Sequence, residues 1–394
     1  MASSEVSSPA NAVAFRDSIH DPLLDPLLLR EWFAVGWSSE VVPGALLARR
    51  ALGRDVVLWR SGDGEAHCWL DLCVHRGAKL SLGRVERSRF PSGMTERKAR
   101  AEADSVTGRT DRKAEEADSL IGIGERNRSD ADEDCLVCPY HGWRYGESGQ
   151  CVGIPAQPGL APPAKARAEV FEVCERFGAI WVCFGAGRGA GAGAMPEFPA
   201  AEDASFRMMA AGPYRFRALG PRLIENFLDV AHLGIVHEGL LGDPARAQIE
   251  DYAVEAGARG PLGREIRVWQ PDPEGTGAGA MVTYEYEVQG PLTASFVKLH
   301  GENRLAILAQ VMPVDGEWSE MRMVLAMNYG HEIPEAELVA FQDHVAAQDR
   351  RIVESQRPEL LPLDLQAELH LRSDRMAIAY RKWLREIGFS YGVV

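Results

Sequence analysis

The chain has 394 residues, 46% hydrophobic and 25% charged, which is enough for two ordinary domains with cores of their own. Its 43 basic and 57 acidic residues give a formal net charge of −14, which argues against nucleic acid or an anionic membrane as the main partner. An odd count of seven cysteines and no apolar run of membrane-spanning length point to a cytoplasmic chain without disulfides.

Residues 1–25 lack both a signal-peptide pattern and an apolar periodicity, and are expected to form a flexible tail. From Leu29 the chain turns apolar and aromatic, with Trp32, Phe33 and Trp37. Asp55–Arg60 and Ala66–Leu72 have the composition of strands, and Ser61-Gly62-Asp63-Gly64 between them is a hairpin signal. Directly after the second strand comes Cys73-Val74-His75-Arg76-Gly77. A stretch dense in Arg, Lys, Asp and Glu follows over about 84–134, with Phe90 its single aromatic. It carries too little apolar surface to offset its ordering entropy and is expected to be a solvated insertion.

Cys138-Pro139-Tyr140-His141-Gly142-Trp143 comes next, with 62 residues between His75 and Cys138. The two short stretches together offer two thiolates and two imidazoles. Zinc takes such a set as a tetrahedron, and a [2Fe–2S] cluster takes it as two Cys on one iron and two His on the other. Gly77 and Gly142 would let backbone amides approach bridging sulfides, and Arg76, Tyr140 and Trp143 are bulky enough to shield a cluster.

Arg144–Gly153 has a strand–turn–strand pattern, and Val170–Cys174 and Ala179–Phe184 alternate like strands. The Gly/Ala run ending at Met195-Pro196 marks a linker at 187–197, which separates a first domain over 26–186 from a second over 198–394. In the second, Asn226, Asp229 and His232 recur every three residues, on one face if helical, and His237 follows five later. Gly234 between them is where that helix is expected to end or distort. Two His and a carboxylate with open positions make the ligand set of non-haem Fe(II) oxygenases.

Strand-like segments follow at 264–270, 281–288, 305–314 and 321–329, then helical patterns at 333–356 and 374–387, an α+β arrangement on an antiparallel sheet. In the first of these helices Leu338, Phe341, Val345, Asp349 and Ile352 fall on one stripe, which would bury Asp349. Such a carboxylate is either a metal ligand or half of a buried ion pair with an arginine.

The stretches C-x-H-R-G and C-P-x-H-G-W resemble Rieske [2Fe–2S] proteins almost letter for letter. The second-half pattern N-x-x-D-x-x-H-x4-H and the late D-x-x-I-x-x-x-Q, at Asp349, Ile352 and Gln356, resemble catalytic subunits of the Rieske non-haem iron oxygenases. CPYHGWRY, VHEGLLGD and SDRMAIAYRKWLREIGFSYGV are similar to the saxitoxin-pathway Rieske hydroxylases. HRGAKLSLG and YRKWLRE are similar to caffeine N-demethylase-type monooxygenases. The resemblance covers nearly the whole chain outside the insertion, which departs from the family.

The resemblance implies an N-terminal antiparallel β Rieske domain followed by a helix-grip-like, START-like catalytic domain. It implies a [2Fe–2S] cluster held by Cys73, His75, Cys138 and His141, and one Fe(II) held by His232, His237 and Asp349. Asp229 becomes a bridge that hydrogen-bonds His232 and a cluster histidine, His141, of a neighbouring subunit, and Asn226 lies near the iron. A head-to-tail homotrimer is implied. The chain has no NAD or flavin motif, so electrons would come from NAD(P)H through a separate reductase, with or without a ferredoxin. The activity implied is hydroxylation, or oxidative N- or O-demethylation, of a small, nitrogen-rich or cyclic molecule with O2. The rival readings are a ring-hydroxylating cis-diol dioxygenase, a non-catalytic Rieske electron carrier and a zinc-stabilised binding module. The sequence does not name the substrate. Its pocket is expected from the strands between 264 and 329 and from the helix around Phe227, with Tyr284, Tyr286 and Phe296 candidates for core or pocket.

Overall fold

The structure is a computed structural model that describes residues 25–87, 134–185 and 191–394. The tail expected at 1–25 (all but Asp25), nearly all of the insertion expected at 84–134 and part of the linker expected at 187–197 lie outside these residues.

In chain order the strands of the first half are β1 (Trp32–Trp37), β2 (Leu46–Ala51), β3 (Arg54–Arg60), β4 (Ala66–Leu70), β5 (Arg84–Arg87), β6 (Asp134–Val137), β7 (Arg144–Gly146), β8 (Cys151–Gly153), β9 (Val170–Arg176) and β10 (Ala179–Cys183). The second half runs β11 (Arg207–Phe216), α1 (Gly220–Leu228), β12 (Ala253–Ala256), β13 (Pro261–Gln270), β14 (Ala280–Gly290), β15 (Thr293–His300), β16 (Asn303–Pro313), β17 (Ser319–Met327), α2 (Glu335–Val353) and α3 (Arg375–Glu386). The expected α+β class with antiparallel sheets is what is found.

The chain forms two compact units. The smaller comprises Val41–Ala48 and Val57–Val170. In it β5, β6, β7 and β8 form an antiparallel sheet in that order. The first pair runs from Arg84 opposite Val137 to Arg87 opposite Asp134, so the ends of the charged insertion are neighbours on a ladder. Trp59, Trp69, Leu136, Tyr145, Cys73 and Cys138 share this unit's core. The hairpin expected around 61–64 is present, with Ser61 and Glu65 joined across it.

The larger unit holds a seven-stranded antiparallel sheet in the order β11-β17-β16-β15-β14-β13-β12. Alternate residues of its central strands face opposite sides. Ala306, Leu308, Val324 and Ala326 turn to one side and pack with Trp32, Trp37 and Trp181 of β1 and β10. Burying tryptophans of that size contributes a few kcal/mol each, on the order of 25 cal/mol per Å² of apolar surface. The other side faces the helices, and both sides being covered explains why β16 is buried along nearly its whole length. A buried ion cluster ties α1 to α3: Arg381 bonds Glu225 at 2.5 Å and Glu368 at 2.5 Å, and Arg222 bonds Glu368 at 2.9 Å. Removing one member would strand buried charge at a cost of about 3–5 kcal/mol, so the cluster fixes the helix that leads into the candidate site.

Candidate metal centres

The two Cys–His stretches form matching loops. Each cysteine N–H donates to a carbonyl five residues on (Cys73 to Ala78, 2.8 Å; Cys138 to Trp143, 2.9 Å), and each cysteine carbonyl accepts from a glycine four residues on (Gly77, 2.9 Å; Gly142, 3.1 Å). That turn needs a left-handed residue, and Gly77 and Gly142 supply it at φ 72° and 69°. Cys73 and Cys138 are buried, His75 is half-buried and His141 exposed. The imidazoles lie 4.7 Å apart centroid to centroid. Trp143 stacks flat on His75 at 4.4 Å, whereas Tyr140 beside His141 and Arg76 are exposed, so Trp143 is the shielding residue of the three.

Tyr145 places its hydroxyl 3.0 Å from Cys73 Sγ in the core, a partner the sequence reading did not name. Burial pushes the Cys138 thiol up, with the Cys73 thiol beside it adding to the shift, so the Cys138 sulfur ionises readily only against a cation. Slight desolvation, His141 and Arg76 hold His75 below the usual imidazole range, which keeps its lone pair available. One tetrahedral zinc would draw all four donors within about 4 Å of each other. A [2Fe–2S] cluster instead spreads them, two Cys on one iron and two His on the other. Among the described residues a separate group of three donors meets at one point.

That other group is His232, His237 and Asp349, whose donor atoms lie within 4.8 Å of one another. The expected continuous helix through Asn226, Asp229 and His232 is not what brings it about. α1 stops at Leu228, and Asp229 is its extended cap at ψ 131°. The Asp229 carboxylate accepts from the N–H of Ala231 at 2.9 Å and of His232 at 3.3 Å, a local turn that outcompetes helix continuation and starts a separate 3-10 turn over Ala231–Gly234. The break therefore falls five residues before Gly234. The backbone at Gly234 is instead crossed closely by Gly242, where an added Cβ would sit 2.6 Å from the Gly234 Cα. His237 follows on that loop, fully buried.

Each imidazole is oriented through its Nδ1. That of His232 lies 3.0 Å from Asp229 Oδ2, and that of His237 lies 2.7 Å from Gln348 Oε1. A carboxylate and an amide oxygen only accept, so both Nδ1 atoms carry the proton and both Nε2 lone pairs point at the third member. Asp349 Oδ1 stands 3.5 Å from His232 Nε2 and 3.1 Å from His237 Nε2, buried and with no hydrogen-bond partner. Two lone pairs and an orphaned carboxylate oxygen converging on one point are the donor set a divalent ion completes. The ion-pair alternative for Asp349 has no arginine partner among the described residues. Burial pushes Asp229 up, but the bonds it accepts from His232 and the two backbone amides outweigh this and hold it below the usual carboxylate range.

Asp349 lies on the buried side of α2, as expected, but that side is centred differently from the expected stripe. The buried stripe is Gln342, Val345, Ala346 and Val353, with Asp349 half-buried on the same side, while Phe341 and Ile352 are 44% and 43% exposed. The side of α2 that faces the sheet lines a cavity and carries a polar residue, so apolar periodicity alone pointed partway round the helix. The cavity is walled by Phe216, Phe227, Tyr284, Tyr286, Phe296, Ile307, Met321 and Met323, with the triad, Asp229 and Asn226 also lining it. Tyr284 and Tyr286 are thus both core and pocket wall, and the half-buried Phe227 and Phe296 are pocket wall. Their rings contact one another, Phe227 stacking on Phe296 at 5.3 Å.

Residues 31–91 and 122–164 match the Rieske [2Fe-2S] domain, and residues 216–388 match the vanillate O-demethylase oxygenase C-terminal domain. Residues 92–121, inside the charged insertion, fall outside the first match. The chain is 33% identical over 206 residues to the probable methylxanthine N7-demethylase NdmC of Pseudomonas sp. (strain TJI-51), covering 50% of this chain and 71% of that protein. This chain belongs to the Rieske non-haem iron oxygenases. It is also 28% identical over 346 residues to methylxanthine N1-demethylase NdmA of Pseudomonas putida, covering 86% of this chain and 82% of that protein. The solved structure of Pseudomonas putida CBB5 NdmA with caffeine shares 26% identity at a TM-score of 0.67, covering 92% of this chain and 91% of that one.

The protein is therefore an oxidoreductase of the Rieske monooxygenase type, working with a [2Fe–2S] cluster, a mononuclear iron, O2 and electrons passed from NAD(P)H by a separate reductase. The described residues contain no helix long and apolar enough to cross a membrane.

Proposed function

We propose that the enzyme removes the N-methyl group of a small, flat heterocycle, and that Cys73, His75, Cys138 and His141 hold its cluster while His232, His237 and Asp349 hold its iron. The observation that carries the substrate class is the wall of the cavity at the triad: five aromatic rings and seven aliphatic or thioether side chains, with Asn226 and Gln342 the polar residues besides the triad and Asp229. Flat rings stack on such walls at little entropic cost, which orients them without many hydrogen bonds. The likeness to methylxanthine demethylases supports the same class.

The iron, when bound, supplies the activation of O2. The chain's own residues do the rest. Asp229 and Gln348 hold the two imidazoles in one tautomer and one orientation, so the donor set is formed before any ligand enters. Phe227, Phe296 and Tyr286 exclude water and hold the methyl group toward the triad. In balance, one oxygen atom of O2 enters a methyl C–H bond to give N–CH2–OH, and the other leaves as water with two electrons and two protons. The C–N bond of the hydroxymethyl group then breaks, leaving the N–H heterocycle and formaldehyde.

Within this reading the cluster belongs to a domain over 26–186 and the iron to one over 198–394. Asp229 uses its remaining acceptor capacity on His141 of a second copy of the chain in a homotrimer, which relays the electron, and Asn226 stands near the iron as an uncommitted amide. The setting is cytoplasmic. The experiment is turnover of N-methylated heterocycles with a reductase, NADH and labelled O2. Formaldehyde equal to the demethylated product is expected; a cis-diol carrying both labelled atoms would instead make the protein a dihydroxylating enzyme.

A further inference from the structure

We propose that Met323 is a self-oxidation site: peroxide released into the cavity when the enzyme turns over without substrate converts the Met323 thioether to the sulfoxide, which silences the enzyme. The inference goes beyond demethylation and rests on the reading that His232, His237 and Asp349 hold the iron.

Alternation along β17 turns Val324 and Ala326 toward the tryptophans of β1 and β10, and Met321 and Met323 toward the cavity that the triad lines. Among the described residues lining that cavity there is no cysteine, so the two thioethers are its oxidisable sulfurs. Both are shut off from bulk solvent, Met321 at 4% and Met323 at 7% exposure, so an oxidant arriving from solution meets Met281, 39% exposed, before either of them. Gln342 singles out Met323. Its Nε2 lies 3.3 Å from Sδ and fixes the sulfur against α2, the helix that carries Asp349. A thioether sulfur is a weak acceptor, whereas a sulfoxide is polar through its oxygen, so the amide that gains little from the sulfur stabilises the oxidised product.

The step balances with what one turnover supplies. Two electrons and two protons reduce O2 to H2O2 when no C–H bond is present to receive oxygen. The sulfur lone pair takes one peroxide oxygen, the O–O bond breaks, the sulfur is oxidised by two electrons, and the second oxygen leaves as water. Gln342 stands seven residues before Asp349 on α2, roughly 10 Å at 1.5 Å per residue, so the peroxide has only the cavity to cross. A ring bound there fills that path and takes the oxygen itself. Once formed, the sulfoxide sets a polar group among Phe216, Ile307 and Met321, where it disfavours an apolar ring face.

The test uses the holoenzyme, reduced anaerobically with dithionite, desalted, and mixed with 18O-labelled O2 in repeated cycles without substrate. Catalase in the solution removes peroxide that escapes. Peptide mass spectrometry is expected to find the label on Met323 in at least tenfold excess over exposed Met281 and over Met312, which is fully buried but outside the cavity lining. Asp349→Ala is expected to leave Met323 unlabelled. Label spread evenly over the three methionines, or label on Met323 in Asp349→Ala, overturns the proposal. Formaldehyde release from N-methylated uracils and purines, scored as the fraction that survives the cycles, is expected to fall at least fivefold in the wild type and to hold in Met323→Leu. Wild type and variant fading together would show that the sulfoxide is not what silences the enzyme. Labelled Met323 with no formaldehyde from any heterocycle supports the oxidation site and counts against demethylation; formaldehyde with Met323 unlabelled does the reverse.

Discussion

Asp349 Oδ1 and His237 Nε2 lie 3.1 Å apart, and the carboxylate oxygen has no hydrogen-bond partner although it is buried. An orphaned acceptor facing the free nitrogens of two imidazoles makes physical sense only with a cation among them. Asp349→Ala is expected to abolish binding of the mononuclear iron and turnover while leaving the visible spectrum of the cluster intact. Retained turnover would remove Asp349 from the ligand set.

Gln348 is the second consequence of this geometry. Its Oε1 fixes the Nδ1–H of His237 at 2.7 Å. Gln348→Leu frees the ring to turn and to change tautomer, and should weaken iron binding about 10- to 100-fold without affecting the cluster. Metal titration of the apo variant measures this, and affinity equal to wild type would make the contact incidental.

Different parts of the site were legible in the sequence for different reasons. The half-sites around Cys73 and Cys138 are contiguous loops whose spacing alone dictates the turn, so they stand out from their neighbours. His232 and His237 are close in sequence, but the helix breaks before both of them, where the Asp229 carboxylate binds its own backbone, and not at Gly234; side-chain competition of that kind has no periodicity to detect. Asp349 lay on the expected stripe and on the real one, which differ in Phe341 and Ile352 outside and Gln342 and Ala346 inside. Strand β15 went unseen because Thr293, Ser295 and a buried Lys298 break its apolar pattern. Nothing in the sequence marks Gln348, which matters only because folding brings it to His237.

Asp229 holds His232 and, in the proposed trimer, reaches the next cluster. Asp229→Ala is expected to keep both metals yet slow reductase-driven turnover by orders of magnitude, with reduced cluster accumulating in stopped-flow traces. Near-normal turnover would count against the bridge.

The insertion can be tested through its ends. Arg87 and Asp134 are paired neighbours on β5 and β6, as the ends of a tight hairpin are. Replacing residues 88–133 by Asn-Gly should leave cluster content and absorbance unchanged. Loss of the cluster would show that the segment does more than span the gap.

Lys298 is buried with its ammonium bonded to the Pro273 carbonyl at 2.9 Å, and burial lowers it to about 8 against the pull of Glu274 and Asp272. Between pH 8 and 10.5 the unfolded chain therefore holds a proton that the folded protein has released, so this group makes stability rise with pH across that window; below pH 8 its penalty is fully present. The ceiling is about 3 kcal/mol, less whatever its hydrogen bonds return. Urea unfolding of wild type against Lys298→Met at pH 7 and pH 10 should show wild type gaining on the variant as pH rises. Parallel pH dependences would mean the amine is not desolvated as described.

Two iron centres in one chain underlie all of this, and iron stoichiometry with the visible spectrum examines them together. Anaerobically reconstituted wild type should contain three irons per chain and the absorbance of a histidine-ligated [2Fe–2S] cluster, and Asp349→Ala should contain two with the same spectrum. Two irons in wild type, or a colourless protein carrying zinc, would contradict the account.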